Sequence, residues 1–122
     1  MPTRVLIVDD DPRFRALARK LLERQGYAVV AEATDGAQAL LSVRRVRPDA
    51  ALVDVQLPDT DGLALARQLA ESDGSLRIVL TSTDPTLVSP ATLADSPAVA
   101  FVPKDELAAS DLAAWLGGVE SR

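Results

Sequence analysis

The chain of 122 residues contains no cysteine and no histidine. Without cysteine, neither a disulfide framework nor a thiolate metal site can form. Without histidine, His-ligated zinc, histidine general bases and Ser-His-Asp catalysis are all excluded. No apolar run is long enough to cross a bilayer, and the N-terminal residues do not resemble a signal peptide. Carboxylates, hydroxyls and amines are therefore the groups that remain for chemistry.

The chain also lacks a basic excess, since its net charge is −5. This charge argues against a nucleic-acid-binding face. The cluster of Arg44, Arg45 and Arg47 lies near the end of a predicted helix, where it complements the helix dipole. A hydrophobic fraction of 48% is typical of a globular protein. We expect one cytoplasmic domain over residues 1–122 that binds neither nucleic acid nor membrane.

Short apolar runs alternate with helical patterns five times along the chain. The runs cover residues 5–8, 27–31, 50–53, 78–80 and 98–102. Three of them are apolar throughout, as expected of parallel strands covered on both faces. Strict β-α alternation predicts a right-handed, doubly wound α/β sandwich.

The helices between these runs carry start and stop signals. Asp11-Pro12 begins the first helix and Gly26 ends it. The second covers about residues 36–46, and the third begins near Asp61-Gly62. The last is predicted to end at Gly117-Gly118. The side chains expected to face the core are Phe14, Leu17, Ala18, Leu21 and Leu22 in the first helix, Leu63, Ala66, Leu69 and Ala70 in the third, and Ala108, Leu112, Trp115 and Leu116 in the last.

The region of the fourth helix contains three prolines: Pro85, Pro90 and Pro97. A proline in a helix interior costs about 3 kcal/mol. Ser89-Pro90 is better interpreted as a helix start, which leaves one or two turns up to Asp95. We predict a short, displaced fourth helix after a long loop.

Polar residues follow four of the predicted strands, at the edge where ligands bind in open α/β sheets. They are Asp9-Asp10-Asp11, Asp54, Thr81-Ser82-Thr83 and Pro103-Lys104. Crowded carboxylates resist ionising together unless a cation lies between them, and oxygen donors suit Mg²⁺. A lysine opposite supplies a positive charge for a phosphate. The pattern indicates a phosphoryl-transfer site.

Asp54 is the predicted nucleophile, because it stands alone at the end of a fully apolar strand. Asp9 and Asp10 are adjacent and can share the metal. A carboxylate that attacks phosphorus yields an aspartyl phosphate. No Walker-type loop is present, so a tightly cradled nucleotide donor is not expected.

Four segments resemble the receiver domain of two-component response regulators: "VLIVDDDP", "LVDVQLPDTDGL", "IVLTST" and "FVPKDEL". Their order and spacing are receiver-like over the whole chain, with Pro58 and Gly62 at the family's offsets. The resemblance implies a flavodoxin-like sandwich with five parallel strands in the order 2-1-3-4-5, as in a chemotaxis receiver.

The resemblance also implies roles for single residues. Asp54 would accept the phosphoryl group from a sensor histidine kinase or phosphotransfer protein. Asp10 would be the main direct Mg²⁺ ligand, with Asp9 acting largely through water. The backbone carbonyl of Gln56 would complete the protein's share of the metal shell. Lys104 would pair with phosphoryl oxygens.

Two further residues belong to the implied switch. The Thr81 hydroxyl would move to bond a phosphoryl oxygen, and Phe101 stands where the family keeps a rotating aromatic side chain. Gln56 and Thr83 occupy positions that tune phosphorylation and dephosphorylation rates in the family. The face made by the fourth helix, fifth strand and fifth helix carries dimerisation and output contacts in receivers. The expected partners are thus an effector domain or partner protein and a second copy of the chain.

Other acids have structural interpretations. Asp11 and Asp61 are predicted helix caps, Asp59 a loop acid, and Asp105 the N-cap of the last helix. Asp35-Gly36 is interpreted as a turn and helix start.

The function expected is a phosphorylation switch that catalyses only its own phosphorylation and dephosphorylation, and is not an enzyme for an external metabolite. A Mg²⁺-dependent phosphatase or phosphotransferase is a second interpretation. Those enzymes typically carry an acid two residues after the nucleophile, where this chain has Gln56. A third interpretation is a phosphorylation-independent pseudo-receiver that only binds proteins. Such modules commonly lose the acidic pair or the lysine, whereas Asp9, Asp10 and Lys104 are all present.

Overall fold

The computed structural model describes residues 2–116. Five parallel strands form one sheet in the order β2-β1-β3-β4-β5, which confirms the predicted fold. The strands are β1 Arg4–Val8, β2 Ala28–Ala33, β3 Ala50–Asp54, β4 Arg77–Ser82 and β5 Ala100–Pro103. The helices are α1 Pro12–Arg24, α2 Gly36–Val46, α3 Gly62–Ser72, α4 Pro90–Ala94 and α5 Ala113–Leu116, and a 3-10 helix Lys104–Ala109 follows β5. None of the helices within residues 2–116 has the length and apolar character that a membrane crossing requires.

The sheet separates two apolar clusters. Alternate residues of a strand point to opposite faces, so Leu6 and Val8 join one cluster while Val5 and Ile7 join the other. The first cluster includes buried side chains of α2 and α3, and the second includes those of α1 and the C-terminal segment. Helices cover both faces, which explains the continuous apolar runs of the strands.

Side-chain caps begin four helices at the predicted positions. Asp11, Asp35, Asp61 and Ser89 each accept a hydrogen bond from a backbone N–H in the first turn. These bonds satisfy amides that a helix start leaves unpaired. Gly26 follows α1 with a φ of 92°, a conformation that favours glycine.

The fourth helix is as short as predicted. α4 contains five residues, begins after the Ser89 cap, and has no buried side chain. Pro90 occupies its first turn, where a missing N–H costs nothing.

The prediction for the C-terminal helix was wrong in two respects. Asp105 is not an N-cap, because a 3-10 helix begins at Lys104 and places Asp105 inside its first turn. Ala108 is exposed, whereas Leu107 is buried. A 3-10 helix has three residues per turn, so Lys104 and Leu107 share the inward-facing row. The predicted end at Gly117-Gly118 lies outside the described residues.

Some side chains of α1 and α3 that were predicted to face the core are not buried in the structure. Leu17 is 53% exposed, because the buried row of α1 consists of Phe14, Ala18 and Leu22. On α3, Leu65 is buried, while Leu63 and Ala70 are only partly buried.

Candidate functional site

Three carboxylates meet at the C-terminal edge of the sheet. β1 and β3 are neighbours with Val8 opposite Val53, so the acids that end these strands come together. One carboxylate oxygen from each of Asp9, Asp10 and Asp54 lies within 4.8 Å of the others. Asp9 and Asp54 are buried and Asp10 is exposed, so the cluster opens to solvent on one side.

The two buried carboxylates are oriented by the backbone of their own turns. Asp9 Oδ1 accepts a hydrogen bond from the Asp11 N–H at 2.8 Å. Asp54 Oδ1 accepts one from the Gln56 N–H at 3.1 Å. In both carboxylates, the Oδ1 atom accepts the backbone hydrogen bond, and the Oδ2 atom is available to other partners.

Lys104 lies between the two Oδ2 atoms. Its Nζ is 2.7 Å from Asp9 Oδ2 and 3.3 Å from Asp54 Oδ2, and it lies 4.3 Å from the centroid of the Phe14 ring. The ring face and the two carboxylates all favour the ammonium form. Asp9 Oδ2 makes this ion pair but has no hydrogen bond of good geometry within residues 2–116.

The electrostatics of the cluster reflect its burial. Burial raises the pKa of Asp54 above its ordinary value; the Gln56 N–H opposes this shift, and the Asp9 carboxylate adds to it. Burial by itself lowers the pKa of Lys104, but its contacts with Asp9 and Asp54 outweigh burial, and the pKa is raised. Lys104 is therefore a cation at neutral pH.

The donor set fits a hard divalent cation. The Lys104 ammonium contacts Asp9 and Asp54, and it brings one positive charge to a cluster of three carboxylates. The metal ligands available at the cluster are carboxylate oxygens of Asp9, Asp10 and Asp54. Hard cations such as Mg²⁺ bind to oxygen ligands of this kind.

Thr81 and Phe101 lie in the strands beside the acid cluster. Thr81 pairs in register with Asp54 and is fully buried. Its hydroxyl donates a hydrogen bond to the Val102 carbonyl at 2.7 Å, toward β5. Phe101 precedes Val102, is partly buried, and packs against the first apolar cluster.

A cavity of about 420 Å³ adjoins Lys104 on the side of α1. Thr83, which is exposed after the end of β4, lies in its wall. The exposed Leu17 also lines this cavity, together with Phe14.

Two contacts near the site were not anticipated from the sequence. Arg15 donates a hydrogen bond from Nη1 to the Asp9 carbonyl at 2.7 Å. Asp59, predicted to be only a loop acid, accepts hydrogen bonds from the Gly36 N–H at 2.8 Å and the Ala37 N–H at 3.1 Å. Tertiary packing brings Asp59 to Gly36, whereas Arg15 lies only six residues after Asp9. Neither hydrogen bond follows from a periodic or helix-capping pattern in the sequence.

The fold and the acid cluster define a doubly wound α/β module with three carboxylates and a lysine at the C-terminal edge of its sheet, and comparison with known proteins identifies its family. The family model described as "Response regulator receiver domain" matches residues 5–115. The chain belongs to this family of two-component systems.

Two relatives that are longer than this chain share much of its sequence. It is 39% identical over 105 residues to a "Putative transcriptional regulator" of Pseudomonas aeruginosa PAO1, a match that covers 85% of this chain and 50% of the relative. It is 45% identical over 85 residues to the "Response regulator MprA" of Mycobacterium sp. (strain KMS), covering 69% of this chain and 36% of the relative. The chain thus spans half or less of the length of these relatives.

Solved structures have the same fold. A two-component response regulator of the LuxR family from Aurantimonas sp. SI85-9A1 has a TM-score of 0.78 and 32% identity, with 90% of this chain and 79% of that chain covered. A response regulator from Burkholderia pseudomallei, described with a phosphorylated aspartic acid, calcium ion and citrate, has a TM-score of 0.81 and 26% identity, with 93% of this chain and 66% of that chain covered.

Proposed function

We propose that the chain is a single receiver domain over residues 1–122 that accepts a phosphoryl group on Asp54 in a Mg²⁺-dependent reaction. The observation that carries this proposal is the grouping of Asp54 with Asp9, Asp10 and Lys104 at the C-terminal edge of the sheet. The phosphorylated aspartic acid described for the Burkholderia structure supports it.

In the proposed transfer, a carboxylate oxygen of Asp54 forms a bond to phosphorus of a phosphohistidine. The bond from phosphorus to the imidazole nitrogen breaks, and its electron pair goes to that nitrogen, which takes up a proton from solvent. The Gln56 N–H orients the Asp54 carboxylate. Lys104, already within 3.3 Å of Asp54 Oδ2, neutralises the charge of the incoming oxygens.

Mg²⁺ would be held by Asp9, Asp10, Asp54 and the backbone carbonyl of Gln56. When bound, it supplies charge neutralisation for the phosphoryl oxygens. The grouping of three carboxylates beside the Lys104 ammonium supports a cation at this place.

The switch begins at Thr81. To bond a phosphoryl oxygen on Asp54, the Thr81 hydroxyl breaks its hydrogen bond with the Val102 carbonyl and turns away from β5. Phe101 adjoins this carbonyl, so the change reaches the β5 edge, where Phe101 rotates. Phosphorylation then shifts the equilibrium between two conformations. Thr83 and Gln56 adjust the rates of phosphorylation and dephosphorylation.

The proposed partners are a sensor histidine kinase or phosphotransfer protein upstream, and an effector domain, partner protein or second copy of the chain downstream. The domain acts in the cytoplasm, contacts neither nucleic acid nor membrane, and turns over no external metabolite. A receiver needs only one phosphoryl group per switching event, since the group itself is the signal.

The test is intact-protein mass spectrometry after incubation with acetyl phosphate, with and without Mg²⁺. We expect a single phosphoryl adduct that requires Mg²⁺ and is absent from Asp54→Asn. Asp105→Asn is the matched control, because it makes the same change at an exposed acid beside Lys104, and it should be phosphorylated like the wild type.

An adduct that persists in Asp54→Asn would place the acceptor elsewhere. A folded wild-type protein that forms no adduct and binds no beryllofluoride would instead be a phosphorylation-independent binding module.

A further inference from the structure

The Arg15 side chain reaches back from α1 to the end of β1. Its Nη1 donates a hydrogen bond to the Asp9 carbonyl at 2.7 Å, and its Nε donates to Glu32 Oε1 at 3.1 Å. The backbone N–H of Arg15 bonds instead to the Asp11 carbonyl, as the first turn of the helix requires. The Asp9 carbonyl lies before the helix, and the guanidinium binds it there.

Glu32 holds the guanidinium in place. Its Oε1 accepts from Arg15 and its Oε2 accepts from Arg19 at 2.8 Å, so both oxygens are used. Glu32 lies in β2, which pairs with β1. The negative charge of Glu32 also balances the positive charge of Arg15. Arg15 therefore adds little net positive charge near the acid cluster when it bonds to the Asp9 carbonyl.

The Asp9 carbonyl belongs to the peptide group that joins Asp9 to Asp10. A peptide group is planar, so a hydrogen bond that fixes the direction of this C=O also fixes the N–H of Asp10. The two residues that carry adjacent carboxylates are thereby held in one relative orientation. Mg²⁺ demands near-ideal octahedral geometry, and a small rotation of this peptide would displace its ligands.

We propose that Arg15 is a positioning residue for the cation site: by bonding the Asp9 carbonyl, it holds the carboxylates of Asp9 and Asp10 in the arrangement that binds Mg²⁺. This inference rests on the function proposed for the site. Some residues orient metal ligands by hydrogen bonds without touching the metal. Replacing such a residue typically weakens metal binding by about 10–100-fold.

Arg19 provides the matched control for Arg15. It lies one turn further along α1 and shares Glu32, and it also pairs with Glu23 at 3.2 Å. Its contacts are with these glutamates and do not include Asp9. If the arginines only stabilised the fold, their removal would have similar effects on Mg²⁺ binding.

The experiment is a calorimetric Mg²⁺ titration of the full chain and of three variants, with urea unfolding of each. We expect Arg15→Met to weaken Mg²⁺ binding about tenfold. Arg19→Met should stay within about twofold of wild type, the change expected of a residue that does not touch the ligand pair. Arg15→Lys should fall between them, because an ammonium can still donate to the Asp9 carbonyl but cannot bridge it to Glu32 in the fork geometry of a guanidinium. Arg15→Lys also carries the test if Arg15→Met does not fold.

A second readout needs no metal. In amide NMR spectra of the metal-free protein, the Asp10 N–H should shift in Arg15→Met and stay in place in Arg19→Met. Equal Mg²⁺ affinities for these two variants, with wild type binding Mg²⁺, would overturn the positioning role and leave the proposed function intact. If wild type binds no Mg²⁺, the cation site itself fails. The role proposed for Arg15 toward Mg²⁺ then fails with it, and an Asp10 shift would show only that Arg15 orients this peptide group.

Discussion

At the scale of single residues, Asp54 is held in a place that opposes its own ionisation. It is 5% exposed, and the Asp9 carboxylate lies close to it. The Lys104 ammonium partly stabilises the ionised form of Asp54, but it is shared between the carboxylates of Asp9 and Asp54. Functional sites commonly keep such groups at the expense of stability.

We therefore expect Asp54→Asn to stabilise the fold at pH 7. The amide keeps the shape of the side chain and removes a buried negative charge beside Asp9. A gain on the order of 1 kcal/mol is common when a functional group of this kind is replaced, and raises the thermal midpoint by roughly 2–6 °C in a domain of this size. Thermal unfolding of wild type and variant without Mg²⁺ measures the difference, with Asp105→Asn as the exposed control.

The pH dependence of this gain follows from the raised pKa of Asp54. The folded state holds the proton more tightly than the unfolded chain, whose pKa is near the ordinary value of 3.8. Ionisation of Asp54 thus lowers stability as the pH rises from 3.8 through the folded pKa. The advantage of Asp54→Asn should be complete above that window and vanish below pH 3.8. A constant advantage at all pH values would contradict this explanation.

Thr81 has a structural role that precedes any switching. Its buried hydroxyl satisfies the Val102 carbonyl at 2.7 Å. Thr81→Val keeps the shape and removes the donor, so we expect the free energy of unfolding to fall by about 1 kcal/mol. Urea unfolding measures the change, and Thr83→Val, at an exposed position beyond the strand, should have almost no effect. Equal effects of the two substitutions would show that the hydroxyl bond does not contribute.

At the scale of elements, the loop after β3 is joined to the start of α2. Asp59 accepts hydrogen bonds from the Gly36 and Ala37 N–H groups, while Asp35 caps Gln38 in the same turn. The space between loop and helix is tight: a Cβ on Gly36 would lie 2.7 Å from Thr60 Cγ2. This loop leads from Asp54 to α3, so the contact fixes the loop against the start of α2.

Asp59→Ala should lower the thermal midpoint by a few degrees, about what the loss of a helix cap causes in a domain of this size. Hydrogen bonds from Gly36 first, and then from Ala37, hold the pKa of Asp59 below its ordinary value of 3.8. A depressed folded pKa gives stability that is present above pH 3.8 and is lost as the pH falls through the folded pKa. The effect of Asp59→Ala should accordingly disappear in strong acid.

Glu71→Gln removes a similar exposed negative charge on α3 and is the control for Asp59→Ala. The thermal midpoint of Glu71→Gln should match that of wild type at pH 7. If Asp59→Ala unfolds at the same temperature as this control, the contact with α2 carries no stability.

At the scale of the whole molecule, the sheet divides the interior, and both sides must unfold together if the domain is cooperative. Leu65 lies in the cluster under α2 and α3, and Leu52 in the cluster under α1. Both are at most 1% exposed. Each of Leu65→Ala and Leu52→Ala should lower the free energy of unfolding by about 2–5 kcal/mol, in a single urea transition with an unchanged slope.

Leu17→Ala serves as the control for these core substitutions, because Leu17 is 53% exposed and should change stability by less than about 0.5 kcal/mol. Separate transitions for probes on the two faces of the sheet would contradict cooperative unfolding.

Much of this architecture was predictable from the sequence, because its signals are local. Apolar runs, caps such as Asp11 and Asp61, and the prolines around Pro90 act through neighbouring residues, so they predicted the five strands and the short α4. The order of the acids and Lys104 along the chain also predicted their meeting, since parallel strands end at one edge of a sheet.

The remaining features depend on which elements pack together. Leu107 replaces Ala108 in the core because the segment after β5 forms a 3-10 turn, and Leu17 is exposed because α1 buries a narrow row. The hydrogen bonds from α2 to Asp59 and from Arg15 to Glu32 cross between elements that only the fold brings within hydrogen-bonding distance. A hydrogen bond requires a position accurate to a few tenths of an ångström, and local patterns specify faces of elements, not positions at that scale.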